Sequence, residues 1–133
     1  MDLRDVAIVV AVAVVANAGL FFGRNAQAQM SPDAQVIAQL KKAGSNVSKP
    51  HPIEFYLYFP TREAAERVAG KVRALGCGIK RVDPAASGPG WLVLATKTMV
   101  PIEAELVKLR KEFEFLAKVE KGEYDGWETQ VLK

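Results

Sequence analysis

Between positions 53 and 59 the chain alternates without a break: Ile53, Phe55, Leu57 and Phe59 are apolar, and Glu54, Tyr56 and Tyr58 stand between them. A period of two belongs to a half-buried strand. The spacing therefore predicts a central strand, closed by Pro60, with an apolar face that needs helices to cover it. Its second face holds one carboxylate and two phenols, groups that prefer water or a partner.

The remainder of the chain can be organised around that strand. Thr61 is placed to cap a helix in which Ala65, Val68, Ala69, Val72 and Leu75 recur every three or four residues until Gly76. Residues 77–82 read as a short strand, 83–90 as a loop of turn formers, and 91–96 as an almost continuously apolar inner strand. With Pro101 near its first turn, a longer helix carries the stripe Ile102, Leu106, Leu109, Phe113 and Leu116 and is expected to end at Gly122. The stripe lasts only about two heptads and the sheet needs that face, so core packing is preferred to a coiled-coil partner. Asp125-Gly126 predicts a turn, and residues 127–131 a last short strand. The order β-α-β, β-α-β implies an α+β fold, the ferredoxin-like split β-α-β sandwich: a four-stranded antiparallel sheet with two helices on one face.

A different kind of segment precedes this domain. Residues 6–22 carry no charge, and as a helix they would span about 25 Å, enough for a bilayer core. Val6, Val10, Val14, Leu20, Phe21 and Phe22 are its candidate membrane-facing residues. The small residues Ala11, Ala13, Ala16, Ala18 and Gly19 would permit close helix packing. Ala26-Gln27-Ala28 supplies the small-x-small site of a cleaved signal, but Arg4 is flanked by Asp2 and Asp5 and the apolar run is long for a signal, which favours a retained anchor. Arg24, Lys41 and Lys42 outnumber Arg4, so the expected location is the inner (cytoplasmic) membrane, single-pass, with the domain in the cytoplasm. The alternative is export to the periplasm after cleavage at Ala28. Ser31-Pro32-Asp33 can start a short helix ending at Gly44, and the polar, proline-bearing stretch after it reads as a tether. The organisation expected is thus an anchor or signal over 1–28, a connector with a short helix over 29–50, and the folded domain over 51–133.

Composition narrows the chemistry. A formal net charge of +3, with bases and acids mixed, sets up no strong basic field for nucleic acid. The single cysteine, Cys77, excludes an intramolecular disulfide and lies among apolar neighbours, where a buried structural thiol is favoured over a nucleophile. His51, the one histidine, lies between two prolines, and metal sites need three or four ligands. No triad, metal spacing or phosphate loop is present in the sequence. Neither an enzyme nor a cofactor or metal site is expected. Tyr56 and Tyr58 on an open sheet bring RNA-recognition domains to mind, but the neighbouring strand, Gly90-Trp91-Leu92-Val93-Leu94-Ala95, lacks their basic and aromatic motif, so no direct nucleic-acid binding is expected.

Several stretches taken together point further: residues 51–60, Gly90-Trp91, Val100-Pro101-Ile102-Glu103, and the run from Gly122 to Thr129 with its Tyr124-Asp125-Gly126-Trp127-Glu128. In combination they resemble the regulator of ribonuclease activity B family, the ribonuclease E inhibitor proteins, over about residues 51 to 131. The resemblance implies a non-catalytic, ferredoxin-like protein that binds the endoribonuclease and alters RNA turnover by protein contact. The apolar N-terminal segment departs from the family, and the reading preferred for this chain has it engage the ribonuclease or its scaffold from a membrane tether. The alternative is an accessory structural subunit of a membrane complex, with the N-terminal helix among other helices and the domain as a clamp. Candidate partner-binding residues are Tyr56, Tyr58, Trp91, Tyr124, Asp125 and Trp127. The last three could form a recognition corner or a turn whose Trp127 caps the core.

Overall fold

A computed structural model describes residues 30–133. The elements are α1 (Pro32–Lys42), β1 (His51–Phe59), α2 (Arg62–Ala74), β2 (Gly78–Pro84), β3 (Trp91–Met99), α3 (Glu103–Val119) and β4 (Glu123–Glu128). The strands form one four-stranded sheet in the order β2-β3-β1-β4, antiparallel throughout. This is an α+β domain with three helices, and β1 is an inner strand, as its alternation requires. Ile53, Phe55, Leu57 and Phe59 are at most 2% exposed, whereas Glu54, Tyr56 and Tyr58 are half-buried.

The helices start and stop for local reasons. Thr61 caps α2 by accepting the Ala64 N–H at 3.1 Å, and Ser31 caps α1 by accepting the Ala34 N–H at 3.0 Å. All three helices end with the same pair of tightening hydrogen bonds. In α1 and α2 the residue forced to positive φ is a glycine, Gly44 or Gly76; in α3 it is Lys121, at φ 60°. Helix α3 therefore stops at Val119, and Gly122 is already the second residue beyond its cap, donating its N–H to the Ala117 carbonyl at 2.8 Å. Gly122 serves a different need: a side chain there would run into β1.

Phe113 of α3 anchors the core, with its ring edge-on to Phe55 at 5.0 Å and tilted against Tyr124 at 5.3 Å. Each fully buried side chain of this size contributes about 1.5–3 kcal/mol relative to exposure.

Three expectations are corrected. The first concerns α1, expected to lie in a connector. Its Val36 and Leu40 are 1% and 0% exposed and belong to the core, and Asp33 bonds to α3 and β4. The stretch after it is tied down as well, although Asn46 and residues 48–50 are exposed, because the C-terminal residues run beside it. The Asn46 N–H donates to the Leu132 carbonyl at 2.5 Å, and the Thr129 hydroxyl donates to the Pro52 carbonyl at 2.8 Å. His51, expected in a loop, opens β1 and is fully buried.

The second concerns the strand ends. Asp125-Gly126 is no turn between elements but a bulge inside β4, where Gly126 pairs with Tyr56 and Tyr124 with Leu57, leaving Asp125 as the extra residue.

The third concerns location. The segment over residues 1–28, including Val6, Val10, Val14, Leu20, Phe21, Phe22 and the Ala28 site, lies outside the described residues. Among the described residues no helix is long and apolar enough to cross a membrane. The longest, α3, has 17 residues and carries charges along its length. The expected inner-membrane location is therefore withdrawn.

Candidate functional site

All three helices cover the face of the sheet that holds Phe55 and Trp127, leaving the other face open. Its membership follows from register. On β1 it holds Glu54, Tyr56 and Tyr58; their partners on β3 are Thr96, Leu94 and Leu92. On β4 it holds Glu123, Asp125 and Glu128, and on β2 Lys80, Arg81 and Asp83.

Two bulges decide this membership. Tyr124 and Trp127 are three residues apart, an odd spacing that a regular strand would send to opposite faces. The extra residue at Asp125 lets both aromatic rings turn toward the helices while the carboxylate stays exposed. In β2 the same device operates between Ile79 and Arg81: Ile79 and Val82 both pack on the core, and Lys80 and Arg81 are both exposed.

The face is mostly acidic, with Glu54, Asp83, Glu123, Asp125 and Glu128 against Lys80 and Arg81. Lys80 is 2.7 Å from Glu54, and Arg81 is 3.6 Å from Asp83 on its own strand. The carboxylates of Glu123, Asp125 and Glu128 have no basic partner among the described residues. The Tyr56 hydroxyl donates to Glu128 Oε2, so one phenol is fixed while the Tyr58 hydroxyl makes no side-chain hydrogen bond among the described residues. Leu92 and Leu94 are 7% and 1% exposed although they point away from the helices. Their direct neighbours flank them on both sides, Tyr58 and Asp83 for Leu92, Tyr56 and Arg81 for Leu94. An apolar floor thus lies between two tyrosines and a rim of charge.

This setting shifts the titrations. Burial, then the Glu128 hydrogen bond and the nearby carboxylates, push the Tyr56 phenol well above its ordinary value. Burial, then Asp125 and Glu128, raise Tyr58. Tyr124, on the other face, is raised by burial first and by Asp33 next. Burial and then Glu123 raise the Asp125 carboxyl. The chain has only these three tyrosines, which gives a clean prediction. In the folded protein, absorbance at 295 nm should show no ionisation step near pH 10, whereas the chain in guanidinium should titrate at about 10. A phenol raised in the fold holds its proton more tightly than in the unfolded chain. The associated stability is complete below about pH 10 and declines as pH rises above it, so alkaline pH should destabilise the fold as the unfolded chain's phenols ionise. One or more tyrosines ionising at the ordinary value in the folded state would contradict the arrangement.

Of the six sequence-derived candidates, Tyr56, Tyr58 and Asp125 share the open face. Trp91, Tyr124 and Trp127 do not. Trp127 is 3% exposed and donates its indole N–H to Asp33 Oδ1 at 2.9 Å. Trp91 pairs with Phe59 toward the helices, with the Arg62 guanidinium 5.7 Å from its ring centroid. Glu123, Glu128, Leu92 and Leu94 were not singled out by sequence; the odd spacing of Tyr124 and Trp127 was the signal that could have placed the two glutamates.

Two other groups resemble chemistry without supplying it. His51 Nδ1 donates to the Lys49 carbonyl at 2.7 Å, and Nε2 is hydrogen-bonded to the Ser45 hydroxyl, also at 2.7 Å. Ser45 is 8% exposed, and its oxygen accepts the Leu132 N–H at 3.0 Å. The pair pins the C-terminal residues in place. The Cys77 thiol is buried, and burial raises it despite the opposing pull of Lys97. Among the described residues no three His, Cys, Asp or Glu side chains are grouped to hold a metal ion.

The geometry defines a small α+β domain that presents a tyrosine- and carboxylate-lined sheet face on one side and a helical layer on the other. A family model described as regulator of ribonuclease activity B matches residues 31–129, and the chain belongs to that family. The match opens at Ser31, the cap of α1, and closes at Thr129, so α1 is inside it. No curated protein matches this chain.

Proposed function

We propose that this chain is a non-catalytic, ferredoxin-like regulator that binds ribonuclease E or its scaffold through the open sheet face and so alters RNA turnover. The observation that carries this reading is the convergence of Tyr56, Tyr58 and Asp125 on one face, over a leucine floor and inside a carboxylate rim. Tyrosine is among the side chains that dominate binding energy at protein interfaces, and a phenol half-buried before binding loses little freedom on docking. The surplus of carboxylates repels phosphate, which favours a protein partner over direct contact with RNA.

The test is cleavage of a fluorogenic single-stranded RNA by purified ribonuclease E with the full-length chain added. The wild-type chain should slow cleavage. A Tyr58→Ala/Asp125→Lys double variant should need about thirtyfold more protein for the same effect, the loss expected from a central anchor worth about 2 kcal/mol. Inhibition by the double variant at wild-type concentrations would remove the sheet face from the interface.

A further inference from the structure

The opposite side of the domain carries a second feature that the sheet face does not explain. Between α2 and α3 runs an open groove of about 440 Å³. Ala74 and Leu75 line one wall, Phe115 and Leu116 the other, and Lys71 and Lys111 stand on the two walls. Phe115 is 66% exposed, and Val119, one turn further on, is 54% exposed. Neither belongs to the core stripe of α3, whose buried members are Leu106, Leu109, Phe113 and Ala117. Phe115 beside the groove walls forms a contiguous exposed apolar patch, the kind of surface that marks interaction sites.

We propose that this groove is a docking site for an acidic amphipathic helix of a partner protein. The walls are two helices and offer no free backbone edge, so an extended segment would gain no ladder there. A helix can set residues at i, i+3, i+4 and i+7 between Leu75 and Phe115. Charge selects the flanks: Lys71 and Lys111 make no ion pair among the described residues. Of the acids nearby, Glu112 lines the groove, and Glu120 is taken by Arg67 through two hydrogen bonds of 2.9 and 2.8 Å. That bidentate contact links α2 to the cap residue of α3. A second copy of the chain is the poorer occupant, because a two-fold contact would bring the same lysines to the same patch. The site is independent of the sheet face and leaves it free, so the domain can hold two proteins at once.

The test is an NMR titration of the full-length chain with two synthetic helical peptides. Both carry leucines at i, i+3, i+4 and i+7; one has glutamates on its flanks and the other lysines. The acidic peptide should shift the Leu75 and Leu116 methyl signals with a dissociation constant below about 1 mM, and the basic peptide should bind about tenfold more weakly. Lys71→Glu/Lys111→Glu should reverse that order, and Phe115→Ser should remove both responses. These residues are at the surface, and unchanged Phe113 and Tyr124 ring signals would show that the fold persists. Equal responses to the two peptides, or none, overturn the proposal. So would methyl shifts that track protein concentration alone and vanish in Phe115→Ser, since these would assign the groove to a second copy.

Discussion

Asp33→Ala is expected to cost about 3 kcal/mol of folding stability, a large part of what a domain of this size holds. Asp33 lies in the first turn of α1, and its side chain is 3% exposed. Its Oδ2 accepts from Arg110 Nε at 3.0 Å and Nη2 at 2.5 Å, and its Oδ1 accepts from the Trp127 indole at 2.9 Å. One carboxylate thus joins α1, α3 and β4. Removing it strands a guanidinium whose side chain is only 18% exposed, together with a buried N–H. Breaking a fully buried pair costs about 3–5 kcal/mol, and the partial exposure of Arg110 argues for the lower end. The source of the cost is the stranded partner rather than the lost attraction. An Arg110→Met/Asp33→Ala double variant should therefore lose clearly less than the sum of the two single changes. Urea unfolding followed by circular dichroism gives all three values. A single-variant loss under about 1 kcal/mol would mean that α1 is not held cooperatively with the sheet.

That same carboxylate shows where the sequence stops being informative. Where apolar positions keep one period, as in β1 and α2, residue type alone decides which side faces in, and Tyr56 and Tyr58 stand on the face that alternation assigns them. Helix α3 follows its stripe at Leu106, Leu109 and Phe113 but leaves Ile102 at its start, and Phe115 and Val119 beyond, exposed. Where a strand carries an extra residue the period breaks. The Asp-Gly pair in β4 reads as a turn, although its backbone stays in the ladder with Gly126 at φ 111°. Trp91, Tyr124 and Trp127 are indistinguishable from surface aromatics in one dimension, because what turns Tyr124 and Trp127 inward is a bulge and what stands over Trp91 is Arg62 at the start of α2. Docking of α1 is the least legible feature. Its fully buried side offers Val36, Leu40 and an aspartate whose partners lie 77 and 94 residues away, with Ile37 packed at the edge. A buried acid at the start of a weakly amphipathic helix looks like ordinary first-turn charge until its arginine is located.

Gly122→Ala and Gly70→Ala are the same chemical change and should have opposite signs. A Cβ at Gly122 would lie 2.7 Å from Phe59 Cε1, and closer still to Phe59 Cδ1 and the Tyr58 carbonyl oxygen. The carbonyl belongs to a strand paired on both sides, and the ring is 2% exposed in the core, so neither can step aside cheaply. Forcing a methyl group into such a site costs about 3 kcal/mol. Gly70 lies in the middle of α2, exposed, with nothing within 4 Å of its Cβ position. Alanine there removes a poor helix former and should add about 0.5–1 kcal/mol. Thermal and urea unfolding of the two variants decide the matter, and a neutral Gly122→Ala would disprove the close approach of the α3 terminus to β1. The two changes should also separate in function. The backbone that must yield to the added methyl group is that of Tyr58, whose side chain stands on the face proposed to bind ribonuclease E. Gly122→Ala should weaken inhibition at temperatures where the protein remains folded, whereas Gly70→Ala should leave it unchanged.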